Sequence, residues 1–187
     1  VHNREINRFC NSSSDASPVD GCITNAMARA YGDNFRAKAG HPDFERINAS
    51  YVNNPVSPDE GVTAYRLGAD GVPEFYKSGN TGITKNSFQM WYRDFPGINK
   101  TIKKQLTLNK LSNGSYQYDS SAFFPIDNEG YGNEANAHNF HFTSHIQTYF
   151  KYRGNNETLS FRGDDDVFVY VNGVKAIDLG GCHSPES

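Results

Sequence analysis

The sequence lacks a long apolar run and a basic stripe, and each absence excludes a class of function. No apolar stretch approaches the ~20 residues that a helix needs to cross a bilayer, so we expect no membrane span. The formal net charge of the 187 residues is −3 and no cluster of Lys and Arg stands out, which argues against nucleic acid as a partner. No signal peptide is present, but the chain begins at Val1 rather than Met, so we expect that an upstream segment has been removed.

The sequence also lacks the common catalytic motifs. There is no G-x-S-x-G, H-E-x-x-H, P-loop or G-x-G-x-x-G pattern. A glycosidase needs two separated carboxylates, and the acidic residues at 164–166 are adjacent. His141 and His145 lie on one face of a predicted strand but roughly 13 Å apart, too far to share one metal ion. We therefore expect a protein that is not an enzyme.

The residues that are abundant favour an all-β fold. Aromatic residues make up 13% of the chain, Gly and Asn are frequent, and there are only two Met, a composition typical of strands joined by many turns. The length fits one domain. Asn-Gly dipeptides between apolar runs are strong hairpin signals. They predict a hairpin of Val167–Val171 and Val174–Leu179 around Asn172-Gly173, and another of Gln105–Leu108 and Tyr116–Tyr118 around Asn113-Gly114.

Three further elements are predicted from local pattern. Residues alternate between apolar and polar from Phe140 to Tyr152, which predicts one long strand with its even-numbered residues on the core. Phe88–Tyr92 is a strand candidate that ends at a Pro-Gly pair, and Val167–Val171, apolar on both faces, predicts a central strand. The good helix formers of Thr24–Ala30 predict one short helix.

The cysteines and sequons are typical of a secreted chain. Cys10 and Cys22 bracket a polar stretch and are predicted to form a local disulfide in an oxidising compartment, although two reduced thiols remain an alternative. Cys182 is then left to bond with another chain or with a cysteine beyond Ser187. Five Asn-x-Ser/Thr sequons are candidate N-glycosylation sites; they begin at Asn11, Asn48, Asn99, Asn113 and Asn156.

The acidic stretch Asp164-Asp165-Asp166 is the most unusual local feature. Three adjacent carboxylates repel one another directly before an apolar strand, and a hard cation such as Ca²⁺ would relieve that repulsion. Neighbouring side chains of an extended strand point to opposite faces, so joint chelation would require a cis peptide. The hairpin would carry Asp178 back beside this stretch, which makes it a fourth candidate ligand. The alternative is a solvated acidic turn.

Several of these residues resemble the fibro-slime domain, a branch of the PA14 superfamily. The resemblance rests on a string from Phe161 to Gly173, then Asp178-Leu179-Gly180-Gly181 and His183. Further matches occur upstream in the same order, at His41-Pro42-Asp43-Phe44-Glu45, Trp91-Tyr92-Arg93-Asp94, Pro96-Gly97, Phe123-Phe124-Pro125-Ile126-Asp127 and Gly130.

The resemblance implies an extracellular antiparallel β-sandwich of PA14 type. In the lectin-like members two adjacent aspartates joined by a cis peptide hold Ca²⁺, and that pair would correspond to Asp164 and Asp165. Asp166 takes a position that is often Gly. The resemblance divides the chain into an irregular N-terminal extension, residues 1–32, and a sandwich, residues 33–187, that would lack its C-terminal strands because the family pattern continues past Ser187.

Two functions follow as expectations. One is a secreted or cell-surface module that binds carbohydrate or mediates adhesion with Ca²⁺ as cofactor. The alternative is a structural subunit of an extracellular filament or matrix, in which the sandwich is a scaffold. Glycan or an extracellular protein would be the partner, and a second chain would join through Cys182 or by strand addition.

Overall fold

The computed structural model describes residues 21–31, 62–77, 84–133, 136–154, 156–162 and 167–179. Within these ranges the chain is mostly strand and forms two small antiparallel sheets with one helix. The elements are β1 (Gly21–Tyr31), α1 (Lys85–Tyr92), β2 (Asn99–Lys110), β3 (Tyr116–Gln117), β4 (Phe142–Gln147), β5 (Val167–Val171) and β6 (Val174–Leu179).

The larger sheet has four strands in the order β3-β2-β1-β4. β1 pairs with β2 along its whole length, from Gly21 opposite Asn109 to Tyr31 opposite Asn99, and with β4 on its other edge. The prediction of a helix at Thr24–Ala30 is therefore wrong. Intrinsic helix propensity is worth less than about 1 kcal/mol per residue, and strand pairing on both edges overrides it. The predicted N-terminal extension thus contains a strand of the sheet.

The turn predicted at Asn113-Gly114 is confirmed, but β3 pairs with Asn109 and Lys110 and not with the predicted Gln105–Leu108. β2 and β3 pair antiparallel, with Lys110 opposite Tyr116. The side-chain Oδ1 of Asn113 accepts hydrogen bonds from the backbone N–H of Ser115, at 2.9 Å, and from its hydroxyl, at 2.6 Å. Gly114 adopts a φ of 82°, which a residue with a Cβ rarely reaches.

The hydrophobic core on one face of this sheet is built around β2. Leu106 and Leu108 are buried there against Phe142 of β4. Phe123 and Ile126, from the connection between β3 and β4, complete the cluster. Each fully buried side chain of this size contributes about 1.5–3 kcal/mol to folding.

Helix α1 occupies the segment that was predicted to be a strand at Phe88–Tyr92, and that prediction is wrong. Phe88 and Trp91 are both buried and stand three residues apart, the spacing that places side chains on one face of a helix. Thr84, directly before the helix, is a favoured N-cap residue type. The pattern of apolar residues was too short to separate a helix from a strand.

The smaller sheet is the hairpin of β5 and β6, which confirms the prediction at Asn172-Gly173. Asn172 and Gly173 have φ of 51° and 74°, so both central residues take the positive values that this tight turn requires. A central strand needs a neighbour on each side, and the described residues give β5 one neighbour, β6. Among them, the prediction that β5 is a central strand is wrong.

The segment 62–67 extends the smaller sheet beyond β6. Arg66 forms a bridge with Val174, and the backbone N–H of Lys175 donates to the carbonyl of Tyr65 at 2.9 Å. On its other side, Thr63 forms a bridge with Phe75. The chain therefore lays four strand-like segments side by side: β5, β6, residues 62–67 and the segment around Phe75. All of them except β6 contribute to a cluster with α1, which consists of Val62, Phe75, Phe88, Trp91, Tyr92 and Phe168.

The long strand predicted from Phe140 to Tyr152 is shorter in the structure. β4 spans Phe142–Gln147, and Phe142 and Ile146 pack on the core as predicted. Phe140 and Tyr152 were predicted to face the core, but they are 42% and 72% exposed. Pairing with β1 runs from Phe142 to Gln147, so residues 140 and 152 lie outside the paired stretch.

A membrane-spanning helix is absent from the described ranges, in which no helix is both long and apolar enough to cross a bilayer.

Arg93 joins the end of α1 to the turn at residues 68–74. Its guanidinium donates to both carboxylate oxygens of Asp70, at 2.7 and 3.2 Å, and to Oε1 of Glu74, at 2.6 Å. Desolvation raises the pKa of Asp70. The hydrogen bonds and charge of Arg93, together with backbone N–H groups, lower it by more, so the net pKa is below its ordinary value. The paired arrangement of two parallel hydrogen bonds gives this contact a fixed geometry.

Asn99 fixes the junction between α1 and β2. Its side-chain amide nitrogen donates to the carbonyls of Met90 and Arg93, both at 2.9 Å, and its Oδ1 accepts from the N–H of Phe95 at 3.1 Å. Carbonyls in the last turn of a helix lack partners within the helix. The buried amide of Asn99 supplies them.

We predict that Asn99→Asp destabilises the unglycosylated protein by about 2–3 kcal/mol, because the two carbonyls lose their donor and a charge is buried. Asn113→Asp is the matched control, since only the acceptor oxygen of Asn113 is used and Asp retains it. Urea unfolding of the three proteins measures the difference. Equal losses for both variants would contradict the role of Asn99.

We also predict that Asp70 contributes stability that depends on pH. Because its pKa is depressed in the folded protein, the contribution is complete above the ordinary value of 3.8 and is lost as the pH falls through the folded pKa. The difference in unfolding free energy between the native protein and Asp70→Asn, measured from pH 6 to pH 2, should shrink toward the acidic end. A difference that is constant over this range would show that the carboxylate is not stabilised by Arg93.

Candidate functional site

The acidic stretch lies outside the described residues, and so do half of the residues predicted to form disulfides or carry glycans. Residues 163–166 are not described, nor are Cys10, Cys182, Asn11 and Asn48. The peptide bonds of the described ranges are all trans, and the predicted cis bond between Asp164 and Asp165 is not among them. Of the four predicted calcium ligands the structure describes Asp178.

Asp178 lies in β6, opposite Phe168. Residues directly opposite each other in an antiparallel pair project from the same face. Phe168 packs against Phe88 of α1, with ring centroids 6.0 Å apart, so Asp178 also faces the interior. Because Phe168 follows the acidic stretch by two residues, the register of the hairpin places Asp178 beside the strand that leaves that stretch. The sequence prediction that β6 runs back alongside it is consistent with this register.

A β-bulge gives Asp178 a cationic neighbour. Val169 pairs with Ile177, but Tyr170 pairs with Lys175, so Ala176 is an extra residue in β6. Without the bulge, residues 175 and 178 would project from opposite faces, because side chains alternate along a strand. With it, the ammonium of Lys175 reaches Oδ2 of Asp178 at 2.6 Å.

The same oxygen accepts hydrogen bonds from Thr63. The hydroxyl of Thr63 donates at 2.8 Å and its backbone N–H at 3.3 Å, while Lys175 also donates to the carbonyl of Thr63 at 2.7 Å. Tyr170 closes the group by donating to the carbonyl of Ala64 at 3.0 Å. Burial raises the pKa of Tyr170, the hydrogen bond with Thr63 lowers it, and the charge of Asp178 raises it, with a net increase.

The second carboxylate oxygen of Asp178 is left without a partner. Its side chain is 9% exposed, and Oδ1 is buried with no hydrogen-bond donor in the described part of the chain. An unsatisfied buried acceptor costs about 1–3 kcal/mol, so a native structure normally supplies a donor, a water or an ion. Oδ1 is also a hard oxygen donor of the type that Ca²⁺ prefers.

Calcium is therefore only partly matched by the residues that the structure describes. Asp178 offers one free oxygen, while Lys175 neutralises the other. No group of three His, Cys, Asp or Glu side chains converges within the described ranges. A complete coordination shell would have to draw on the acidic stretch at 164–166.

The sequons differ in how their asparagines are used. The amide nitrogen is the atom that carries an N-linked glycan, and in Asn99 it is buried and bonded to two carbonyls. Asn113 and Asn156 are exposed, and Asn156 has a φ of 56°. Their amides are accessible in a way that the amide of Asn99 is not.

Comparison with known proteins finds relatives among the psi proteins of Dictyostelium discoideum. The chain is 35% identical to protein psiD of Dictyostelium discoideum over 190 residues, which cover 86% of this chain and 37% of that protein. It is 43% identical to protein psiE over 172 residues, which cover 83% of this chain and 33% of the relative, and 40% identical to protein psiB over a similar span. This chain spans about a third or less of the length of these relatives. No family model and no solved structure matches it.

Sequence reasoning missed two members of the Asp178 group. Lys175 reaches Asp178 only because of the bulge. No turn residue or spacing in β6 predicts an extra residue at Ala176. Thr63 comes from a segment more than a hundred residues away, for which the sequence analysis predicted no element. The predicted Asp178 was found because the Asn-Gly turn fixed the hairpin.

We predict that Lys175→Met destabilises the protein by about 3–5 kcal/mol, because it leaves a buried carboxylate without its counter-charge. Lys103→Met is the control, since Lys103 is an exposed lysine of β2. The double variant Lys175→Met with Asp178→Asn should recover part of the loss, as urea unfolding would show. A loss for Lys175→Met no larger than that for Lys103→Met would mean that the ion pair carries no net stability.

Proposed function

We propose that this chain is an extracellular recognition module that binds carbohydrate or mediates adhesion with the help of Ca²⁺ at its acidic stretch. The observation that carries the proposal is the buried Oδ1 of Asp178, for which the described part of the chain supplies no hydrogen-bond partner. It lies on the strand next to the one that leaves the acidic stretch, so a cation held by Asp164 and Asp165 would have a third carboxylate oxygen within the same hairpin. The proposal assigns no catalytic role to any residue.

Charge in this part of the chain supports a cation rather than a solvated turn. Four aspartates fall within the hairpin and its approach, at 164, 165, 166 and 178. Lys175 is the one cation that the described residues place in contact with any of them. Carboxylates at the head of a half-buried strand repel unless something else neutralises them. Ca²⁺ accepts six to eight oxygen ligands and would leave positions for the hydroxyl groups of a sugar.

The fold that we propose around this site is a PA14-like β-sandwich. Two antiparallel sheets, both in contact with α1, support it, and so does the resemblance of the hairpin sequence to the fibro-slime domain. Secretion fits the five sequons and the predicted disulfide of Cys10 with Cys22. The names of the psi relatives state no ligand, so the choice of carbohydrate rests on the resemblance to the lectin-like members of the PA14 superfamily.

A structural role in a filament or matrix is the second candidate. β4 lies at the edge of the larger sheet, and β2 pairs with β3 only at Asn109 and Lys110, which leaves most of its outer edge unpaired among the described residues. Open edges accept strands from other chains. Three of the four lysines on β2, at 100, 103 and 104, lie in the part that β3 leaves unpaired and oppose such pairing, which places this candidate second.

We predict that calcium raises the melting temperature of the protein and that Asp165→Asn abolishes the increase. Binding to the native state alone stabilises it by about 2.7 kcal/mol at a calcium concentration one hundred times the Kd. Asp119→Asn, at an exposed position outside the β5–β6 hairpin, is the control and should retain the full effect. A glycan array with calcium and with chelator then tests the ligand.

Equal melting temperatures in calcium and in chelator would refute the cation site. Calcium-dependent stabilisation without any glycan binding, combined with self-assembly in sedimentation, would favour the structural role.

A further inference from the structure

A group of aromatic rings away from the hairpin forms a second exposed surface, which we call the aromatic platform. It consists of Phe124, His138 and Phe140. The rings of Phe124 and His138 stack in parallel, with centroids 4.0 Å apart and an interplanar angle of 4°. Phe140 stands nearly perpendicular to both, 5.1 Å from Phe124 and 6.3 Å from His138. These three distances describe an almost right-angled triangle with its corner at Phe124, so Phe140 lies beside the stack and not on top of it.

The platform is exposed, although apolar rings normally avoid water. Phe140 is 42% exposed and the side chain of His138 is 44% exposed. Because Phe140 lies beside the stack, it does not cover the imidazole face opposite Phe124. Exposed rings held in a cluster are more informative than single exposed side chains, since such patches mark binding surfaces more often.

The platform is also held rigidly from below. Asp127 accepts a bond from His138 Nδ1 at 2.6 Å through Oδ2 and from the N–H of Asn139 at 2.7 Å through Oδ1. Asn139 is fully buried, its amide contacts the carbonyls of Ile126 and Glu129, and its Oδ1 accepts from the N–H of His141. A binding surface fixed before the ligand arrives loses little entropy on binding.

The contact with Asp127 determines which atom His138 presents to solvent. The hydrogen bond from His138, and after it the N–H of Asn139, lower the pKa of Asp127, so this carboxylate is ionised at neutral pH and can only accept. Nδ1 must therefore carry the proton. In the neutral ring Nε2 is then an unprotonated acceptor on the opposite side of the imidazole from Asp127.

An aromatic face beside a hydrogen-bond acceptor matches the chemistry of a neutral sugar. The C–H groups on one side of a pyranose carry partial positive charge and pack on the negative face of an aromatic ring. A hydroxyl group at the rim of the same sugar would donate to Nε2 of His138. An anionic ligand fits less well, because Asp127 is a carboxylate in direct contact with the imidazole. The two lysines that contact the neighbouring turn are already bonded, Lys104 to the carboxylate of Glu129 and Lys100 to the carbonyl of Gly130.

We propose that the aromatic platform is a carbohydrate subsite that works without calcium. Phe140 stacks on a neutral pyranose, and Nε2 of His138 accepts a hydrogen bond from one of its hydroxyl groups. The subsite shares its ligand class with the proposed function but uses none of the same residues. A module with both sites would hold a glycan chain at two points, which raises its avidity when the spacing matches.

The test is an NMR titration of the full chain with methyl glycosides of glucose, galactose, mannose, N-acetylglucosamine and fucose in the presence of a chelator. At least one glycoside should shift the ring signals of His138 and Phe140. Phe140→Leu keeps the apolar volume but removes the aromatic face, and it should weaken binding about threefold to tenfold. Tyr149→Leu, at a tyrosine that is 80% exposed outside the platform, is the matched control and should bind like the native protein.

The outcomes separate the two sites. Binding that survives chelator and Asp165→Asn but weakens in Phe140→Leu and His138→Ala supports the platform, provided that thermal melts show both variants to be folded. Loss of all binding in chelator would overturn the platform and leave the calcium site standing. The platform would be equally overturned by the absence of any shift with the five glycosides, by equal affinities of Phe140→Leu and Tyr149→Leu, or by a preference for methyl glucuronide over the neutral sugars.

Discussion

The packing of aromatic rings around Phe88 is the interaction on which the rest of the structure depends. The Phe88 ring lies at the centre of four aromatic contacts, to Phe75, Trp91, Tyr92 and Phe168, with centroids between 5.1 and 6.0 Å. Phe75 and Phe168 belong to the smaller sheet, while Trp91 leads to the larger one through a hydrogen bond from Thr143 to its carbonyl. The helix that carries Phe88 therefore connects both sheets. The orientation of the β5–β6 hairpin, and with it the position of Asp178, follows from how Phe168 rests on this ring.

Features set by short-range chemistry could be predicted from the sequence, and those set by distant partners could not. Both Asn-Gly turns formed as expected, because positive φ at Asn172 and Gly173 is a property of those two residues. The helix expected at Thr24–Ala30 is part of strand β1, and the strand expected at Phe88–Tyr92 is part of helix α1. In both cases the local preference is small, and the outcome depends on which surface the segment meets: two neighbouring strands for β1, and an aromatic cluster for α1.

The two sites differ in the same way. Asp178 was accessible to sequence reasoning because one turn fixes its position relative to the acidic stretch. Its partners were not, since Lys175 depends on a bulge and Thr63 on a bridge between distant segments. The aromatic platform was missed entirely. The alternation of residues 140–152 predicted that Phe140 faces the core. Because β4 begins only at Phe142, Phe140 lies outside the strand and is exposed beside His138.

The central place of β1 has a consequence for how the chain folds. Gly21 pairs with Asn109 and Ala30 with Phe142, so each of its pairings closes a loop on the order of 100 residues. During synthesis this first strand must wait until β4 has left the ribosome before both of its edges are satisfied. Topologies dominated by such distant pairings fold slowly, and their unpaired strands are open to association in the meantime.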